Sequence, residues 1–254
     1  MALLPWHKIE TVLLDMDGTL LDLNFDTQFW LDLIPKKLAQ RSSKSIEICK
    51  QDMKAAYAEV YGEIQWYCLD YWAEKLDMDI MAAKHELAHL IRMRDDCIPF
   101  LDALKQSKRE VVLVTNAHPN SLSLKVEKTQ LDAHIDTLIS THEFGVTKES
   151  QTLWEKLQAR LGFDPQHTLF VDDSQRILDA AKEYGIAYTL GITNPDSQQA
   201  ENTIVGHPTT NNYHQIIQSI IDDNFSPHDS PHDSPHDSPH DLHHKDHHVE
   251  KREL

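Results

Sequence analysis

The chain has 254 residues, with 41 Asp and Glu against 24 Lys and Arg, for a formal net charge of −17. The last 29 residues hold 8 of the 17 His, and the other 225 still carry 13 more acidic than basic side chains. Such a charge excludes nonspecific electrostatic binding to nucleic acid and gives no support to an anionic membrane surface as partner. A phosphorylated ligand must then be held by local donors and a cation.

No stretch approaches the ~18 apolar residues of a membrane span, and Met1 to Trp6 lacks the basic and apolar regions of a secretory signal. Cys49, Cys68 and Cys97 are odd in number and widely spaced, without a CxxC. They point to reduced thiols in a cytoplasmic protein and offer no zinc motif or disulfide framework.

In chain order, Val12 to Leu14 form a short apolar run that reads as a buried strand. It ends in Asp15-Met16-Asp17-Gly18-Thr19, two carboxylates followed at once by a turn residue. From about Phe25 to Arg94 the apolar residues fall at helical spacing. The stripes are Phe29/Trp30/Leu33/Ile34, Ile46/Cys49/Met53/Ala56/Tyr57/Val60, Leu69/Trp72/Leu76 and Met81/Leu87/Leu90/Ile91, with breaks expected at Gly62, Asp77 and Asp79. A lobe of about 70 helical residues is therefore inserted directly after the first strand.

Strands and helices then alternate. Helix Ile98–Gln106 leads to strand Val111–Val114, and a helix near Ser121–Leu131 leads to Thr137–Ile139. Helix Gln151–Leu161 leads to Thr168–Val171, and Gln175–Tyr184 to Tyr188–Leu190, before a last helix near Asn212–Ile221. This order predicts an α/β fold with a doubly wound parallel sheet. The expected division is a core of residues 1–22 and 95–224, a helical lobe of 23–94, and a tail of 225–254.

Ligands in open parallel sheets sit at the carboxyl ends of the strands. Four such ends here carry chemistry: Asp15 and Asp17; Thr115 and Asn116; Lys148, reached through a loop at Gly145; and Asp172 with Asp173. Taken singly, Thr and Asn serve as helix caps, a Lys as a surface charge, and paired Asp as an acidic helix start. Together they form an oxygen-rich, phosphate-competent set. A carboxylate can act as a nucleophile, its neighbour as an acid or base, and adjacent carboxylates call for a hard cation such as Mg²⁺.

The four motifs, in this order, resemble those of the haloacid dehalogenase superfamily of phosphatases. The resemblance runs over roughly residues 5 to 222, including Asp22 to Asp26, Trp66 to Trp72, Thr115 to Pro119 and Gly191 to Ser197. It implies a Rossmann-like core with a helical cap. It also implies that Asp15 accepts the phosphoryl group and that Asp17 acts as acid and base. Asp15, the Asp17 carbonyl and Asp173 would hold Mg²⁺ with Asp172 in support. Thr115, Lys148 and the Asn116 backbone would bind the phosphoryl oxygens. Asp17 favours phosphate chemistry over dehalogenation but leaves a phosphomutase open. The cap resemblance implies purine nucleoside 5′-monophosphates, GMP and IMP, as substrates, with a phosphosugar as the alternative. Trp66, Tyr67, Tyr71 and Trp72 could stack on a base, with Trp72 the one expected in the lobe's own core. His118 follows Thr115-Asn116 and is a candidate to line the site, the alternative being a structural or exposed loop histidine.

The tail repeats Ser-Pro-His-Asp four times from Ser226 and continues through His248. Its proline spacing and lack of apolar side chains predict disorder. It reads either as a solvated linker or as a weak Zn²⁺- or Ni²⁺-binding segment, which would make the protein a metal buffer or interaction module.

Overall fold

The parallel pairing of β1 (Thr11–Leu14) with strands on both sides sets the architecture. The computed structural model describes residues 3–223; the tail and its metal-binding expectation lie outside them. The other strands are β2 (Glu110–Thr115), β3 (Thr137–Ser140), β4 (Thr168–Asp172), β5 (Tyr188–Ile192) and β6 (Thr209–Thr210). They form one six-stranded sheet in the order β3-β2-β1-β4-β5-β6, with every neighbouring pair parallel. Chain direction across the sheet reverses between β1 and β4, the switch point at which such folds open a crevice for ligands.

The interior strands are buried on both faces, so alternate residues enter two separate cores. Val12 and Leu14 join Val111, Leu113, Leu169 and Val171 on one face. Helix α7 (Cys97–Gln106) and helix α11 (His214–Asp222) cover that face through Phe100, Leu104, Ile216 and Ile220. Leu13, Val112, Val114 and Phe170 face the other way, under α9 (Gln151–Leu161) and α10 (Gln175–Tyr184). Phe100 and Tyr213 stack at 4.1 Å between centroids.

The helical segment after β1 comprises α1 (Asn24–Gln28), a π-helical turn (Phe29–Leu33), α2 (Ile34–Arg41), α3 (Ile46–Glu59), α4 (Ile64–Tyr67), α5 (Leu69–Leu76) and α6 (Ile80–Glu86). The π turn was not foreseen. Pro35 lacks an N–H, and the Ile34 N–H reaches back to the Phe29 carbonyl, one residue beyond the α register. The expected breaks occur. Gly62 and Asp77 both take positive φ, at 83° and 47°, and Asp79 caps α6 by accepting from Ala82 N at 2.8 Å. Ile46, expected on the inward stripe, is exposed because it opens α3, before the helix meets its neighbours.

This segment has its own core, in which Trp72 is fully buried among Phe29, Ile34, Met53 and Leu69. Trp72 Nε1 donates to the Trp66 carbonyl at 2.9 Å, and its ring lies 5.0 Å from Tyr57. The chain enters and leaves the segment side by side. Leu21 bridges Met93 antiparallel, Asp22 N donates to Arg92 O at 3.1 Å, and Arg94 N donates to Leu20 O at 3.0 Å.

Elsewhere the strands fall within two residues of expectation. The helix after β2, α8 (Pro119–Thr129), begins two residues early because Pro119 suits a first turn and His118 Nδ1 accepts from Asn120 N. Edge strand β6, only two residues long, gave no readable apolar run. Among the described residues, no helix is long and apolar enough to cross a membrane.

Trp72→Ala is expected to cost ~3–5 kcal/mol, since it removes the largest buried ring of the segment and orphans the Trp66 carbonyl. Urea unfolding of variant and wild type measures it.

Candidate active site

The sheet order brings the four strand ends together. Asp15 extends the β1 ladder, its N–H donating to Val171 O at 2.9 Å, so its side chain emerges beside the end of β4. The chain then turns sharply, with Gly18 N donating to Leu21 O at 2.8 Å. Gly18 has φ +85°, and a Cβ there would come within 2.7 Å of Asp173 Oδ2 and 2.8 Å of Pro195 Cβ. Glycine is required both for the conformation and for Asp173 to lie over the turn.

Lys148 is buried and its ammonium lies between two carboxylates. Nζ donates to Asp15 Oδ1 in a short contact and to Asp172 Oδ2 at 2.7 Å. The other Asp172 oxygen accepts from Ser174 N at 2.8 Å. The Lys148 backbone is itself held: its N–H donates to Asn116 Oδ1 at 3.0 Å, and its carbonyl accepts from Trp154 Nε1 at 3.0 Å. Asn116 also accepts from Thr141 Oγ1 at 3.0 Å and donates to Glu149 at 3.1 Å. Its side chain thus ties β2 to the lysine loop. Thr115 Oγ accepts from Ala117 N at 3.0 Å, which leaves its own proton to donate into the cleft.

Burial pushes the Asp15 carboxyl up to about 6, with Lys148 opposing the shift and Asp172 adding to it. Burial also raises Asp172. Asp173 is raised well above the usual range by burial and then by Asp172 and Asp15. For Lys148, burial alone would lower the ammonium, but Asp15 and Asp172 overcome it and hold the group above its ordinary value. One lysine thus faces three carboxylates whose ligand atoms lie within 4.8 Å of one another. An all-oxygen set with excess negative charge fits a hard divalent cation such as Mg²⁺. Both Asp172 oxygens already accept hydrogen bonds, whereas Asp173 projects over the space left by Gly18.

A second buried network was not anticipated. Lys125 on α8 donates to Asp17 Oδ1 at 2.6 Å and to Asp26 Oδ2 at 2.5 Å, and Lys84 on α6 donates to Asp26 Oδ1 at 3.1 Å. Burial pushes Asp17 up to about 6; Lys125 opposes this, and Asp26 and Asp15 reinforce it. Burial would raise Asp26 too, but Lys125 and Lys84 outweigh it and hold the carboxyl at about 2. Lys84 and Lys125 are buried beside Ala83 and Leu124, an orientation that the fold reveals and the sequence does not. A lysine at such a position requires a buried carboxylate partner.

All seven sequence-nominated residues, Asp15, Asp17, Thr115, Asn116, Lys148, Asp172 and Asp173, line one cleft of about 370 Å³. Of the aromatic candidates, Trp66 and Tyr67 line it, and Tyr67 donates to Glu149 at 3.2 Å. Tyr71 and Trp72 do not; both are committed to the helical core. Trp30 and Tyr61 line it instead, and so does His118.

Residues 9–185 match the family model of the haloacid dehalogenase-like hydrolases. The GMP/IMP nucleotidase YrfG of Escherichia coli (strain K12) is 47% identical over 218 residues, spanning 86% of this chain and 98% of the relative. The relative of the same name in Shigella flexneri matches equally. Among solved structures, a HAD phosphatase from Thermococcus onnurineus superposes with a TM-score of 0.68 at 19% identity, covering 84% of this chain and 98% of that one. The L-2-haloacid dehalogenase of Xanthobacter autotrophicus gives 0.57 at 15%, covering 84% and 98%; at such identities the two structures speak for the fold alone. The chain belongs to the haloacid dehalogenase-like hydrolase family, and within it is a phosphoric monoester hydrolase.

Metal-free Asp173→Asn is expected to be more stable than wild type at pH 8. A raised carboxyl contributes stability below its unfolded pKa and loses it as pH rises through the folded value. The gain should exceed about 2–4 °C in Tm, the shift that ~1 kcal/mol produces in a chain of this size, and should vanish toward pH 4. Added Mg²⁺ should raise the melting temperature of wild type and leave the variant nearly unchanged.

Proposed function

We propose that this chain hydrolyses purine nucleoside 5′-monophosphates, GMP and IMP, through a phosphoryl group carried on Asp15. The observation that carries the reading is the convergence, in one cleft, of Asp15, Asp17, Thr115 and Lys148 with the aromatic rings of Trp30, Tyr61, Trp66 and Tyr67. The nucleotidase likeness over nearly the whole relative supports the substrate class. In this reading residues 1–22 and 95–224 form the catalytic core and 23–94 the cap that selects the base. Stacking on such rings is worth ~1–3 kcal/mol per base.

Asp15 Oδ1 is taken by Lys148, so Oδ2 is the oxygen presented to phosphorus. As the Asp15 oxygen bonds to phosphorus, the bond to the ribose O5′ breaks and Asp17 donates its proton to that oxygen. Lys148 and the Thr115 hydroxyl stabilise the charge on the equatorial oxygens. Asp17, now ionised, takes a proton from a water that attacks phosphorus, which releases phosphate and restores Asp15. A carboxyl pushed up to about 6 is suited to both proton transfers near neutrality. Mg²⁺, held by Asp15, Asp173 and the Asp17 carbonyl with Asp172 in support, would supply charge neutralisation to the phosphoryl group.

A phosphate-release screen in Mg²⁺, with Asp15→Asn as the inactive control, tests the proposal. GMP and IMP should show the highest kcat/KM. A hexose phosphate exceeding both would defeat the nucleotide assignment, and an Asp15→Asn variant with a tenth of wild-type turnover would defeat the covalent one.

Lys125→Met is expected to move the alkaline limb of the pH–rate profile upward. Lys125 favours the Asp17 carboxylate, so its removal raises that pKa and keeps the acid protonated to higher pH. A limb that stays in place would separate Asp17 from the proton transfer.

A further inference from the structure

A second group of metal-ligand side chains lies at the edge of the cleft. It shares no residue with the carboxylate cluster. Cys68, His118 and His142 each present a ligand atom within 4.8 Å of the others. They come from three separate elements. Cys68 joins α4 to α5 in the helical segment, His118 follows β2, and His142 follows β3. The two imidazoles meet edge to face with centroids 5.0 Å apart. His142 Nε2 is buried and has no hydrogen-bond partner among the described residues. Asp70, two residues after Cys68, brings Oδ2 to 3.6 Å from His118 Nε2.

We propose that Cys68, His118 and His142, with Asp70 as fourth ligand, bind Zn²⁺, and that the bound ion pins the helical segment to the sheet and slows turnover. One thiolate, two imidazoles and a carboxylate form a mixed S/N/O set that suits tetrahedral Zn²⁺ and is too soft for Mg²⁺. Tetrahedral Zn²⁺ ligands stand about 3.3–3.8 Å apart, so atoms that already lie within 4.8 Å of one another have to close by roughly 1.5 Å at most. Burial holds both imidazoles below their ordinary value, with Asp70 partly offsetting this at His118 and His118 adding to it at His142, so they enter the site neutral. On binding, Cys68 releases its thiol proton to solvent. His118 moves its proton from Nε2 to Nδ1 and gives up the long 3.2 Å cap from Asn120 N. His142 gives up nothing, and the ion satisfies its orphaned nitrogen.

The site adjoins the cleft, because Tyr67 and Leu69, which flank Cys68, and His118 all line it. An ion there ties the α4–α5 junction to two loops of the sheet. That tie restrains any movement of the junction away from the sheet on which substrate entry and product release depend in this proposal.

The test uses the full chain, whose histidine-rich tail could compete for metal but holds no cysteine. Co²⁺ is the spectroscopic probe, since a thiolate ligand adds a near-ultraviolet charge-transfer band that imidazoles alone do not. Wild type should develop this band to one equivalent. Cys68→Ser should lack it. Loss of even a supporting residue weakens metal binding about 10–100-fold, and His142→Gln, which removes a ligand, should weaken it at least that much. With p-nitrophenyl phosphate and saturating Mg²⁺, Zn²⁺ should slow wild type at least tenfold and both variants less than twofold. Equal turnover of all three proteins in Mg²⁺ alone shows that the variants fold. No thiolate band in wild type overturns the proposal. So does a band unchanged in His142→Gln, which would pair Cys68 with the tail. Equal Zn²⁺ inhibition of all three proteins would place the effect at the carboxylates instead, and a band without inhibition would remove the clamp.

Discussion

The ammonium of Lys148, buried between Asp15 and Asp172, is the contact on which the rest of the site depends. Burial pushes all three carboxyls at the ends of β1 and β4 toward the neutral form, and this ammonium opposes that shift in each. Its position is enforced from all sides: Asn116 holds its N–H, Trp154 holds its carbonyl, and the Asn116 amide is braced by Thr141 and Glu149. The lysine also leaves the cluster under-neutralised. That residual charge makes the crevice receptive to a divalent cation and, through the cation, to a phosphate. A protein with a large net negative charge thereby creates a local site for an anion that its global field repels.

The Asp17–Lys125–Asp26–Lys84 chain is a second ion network, and it links the two parts of the molecule. Asp17 belongs to the turn after β1, Lys125 to α8, and Asp26 and Lys84 to the helical segment. Charges alternate along it, so each buried ion has an opposite neighbour. The arrangement sets the proton affinity of Asp17 with groups that the helical segment brings. Where that segment sits is thus coupled to the protonation of Asp17.

The doubly wound sheet was readable from the sequence because parallel strands buried on both faces are near-continuous apolar runs, and each ended in polar residues of evident chemistry. Asp15, Asp17, Thr115, Asn116, Lys148, Asp172 and Asp173 were legible for the same reason. Lys84, Lys125 and Asp26 were not. Their meaning depends on inward orientation, and a charged residue on a helix reads as solvated until its neighbours are known. Tyr61 and Trp30 were passed over in favour of Tyr71 for a related reason. Periodicity says which residues share a face, but not whether that face meets a core or a cleft. The Cys68–His118–His142 cluster had no sequence signal, since its members lie on three elements with no motif spacing. The π turn at Phe29–Leu33 followed from Pro35, a residue whose lack of an N–H was plain but whose effect on the preceding turn was not anticipated.

The paired entry and exit of the helical segment, Leu20 to Asp22 against Arg92 to Arg94, carries a consequence for how such a fold can change. The two backbone crossings already sit side by side and are hydrogen-bonded to each other. The ends of any insert placed there are therefore held together by the neck and not by the insert itself. Closing a longer loop costs little extra entropy, about 0.6 kcal/mol per doubling of length. A lobe of different size, or with a different aromatic lining, could be spliced at this neck without disturbing the order of the strands or the crevice between β1 and β4. The strand-end carboxylates and the lining that the helical segment adds to the cleft are thus separable in inheritance: the first is fixed by the sheet, and the second can be exchanged as a cassette.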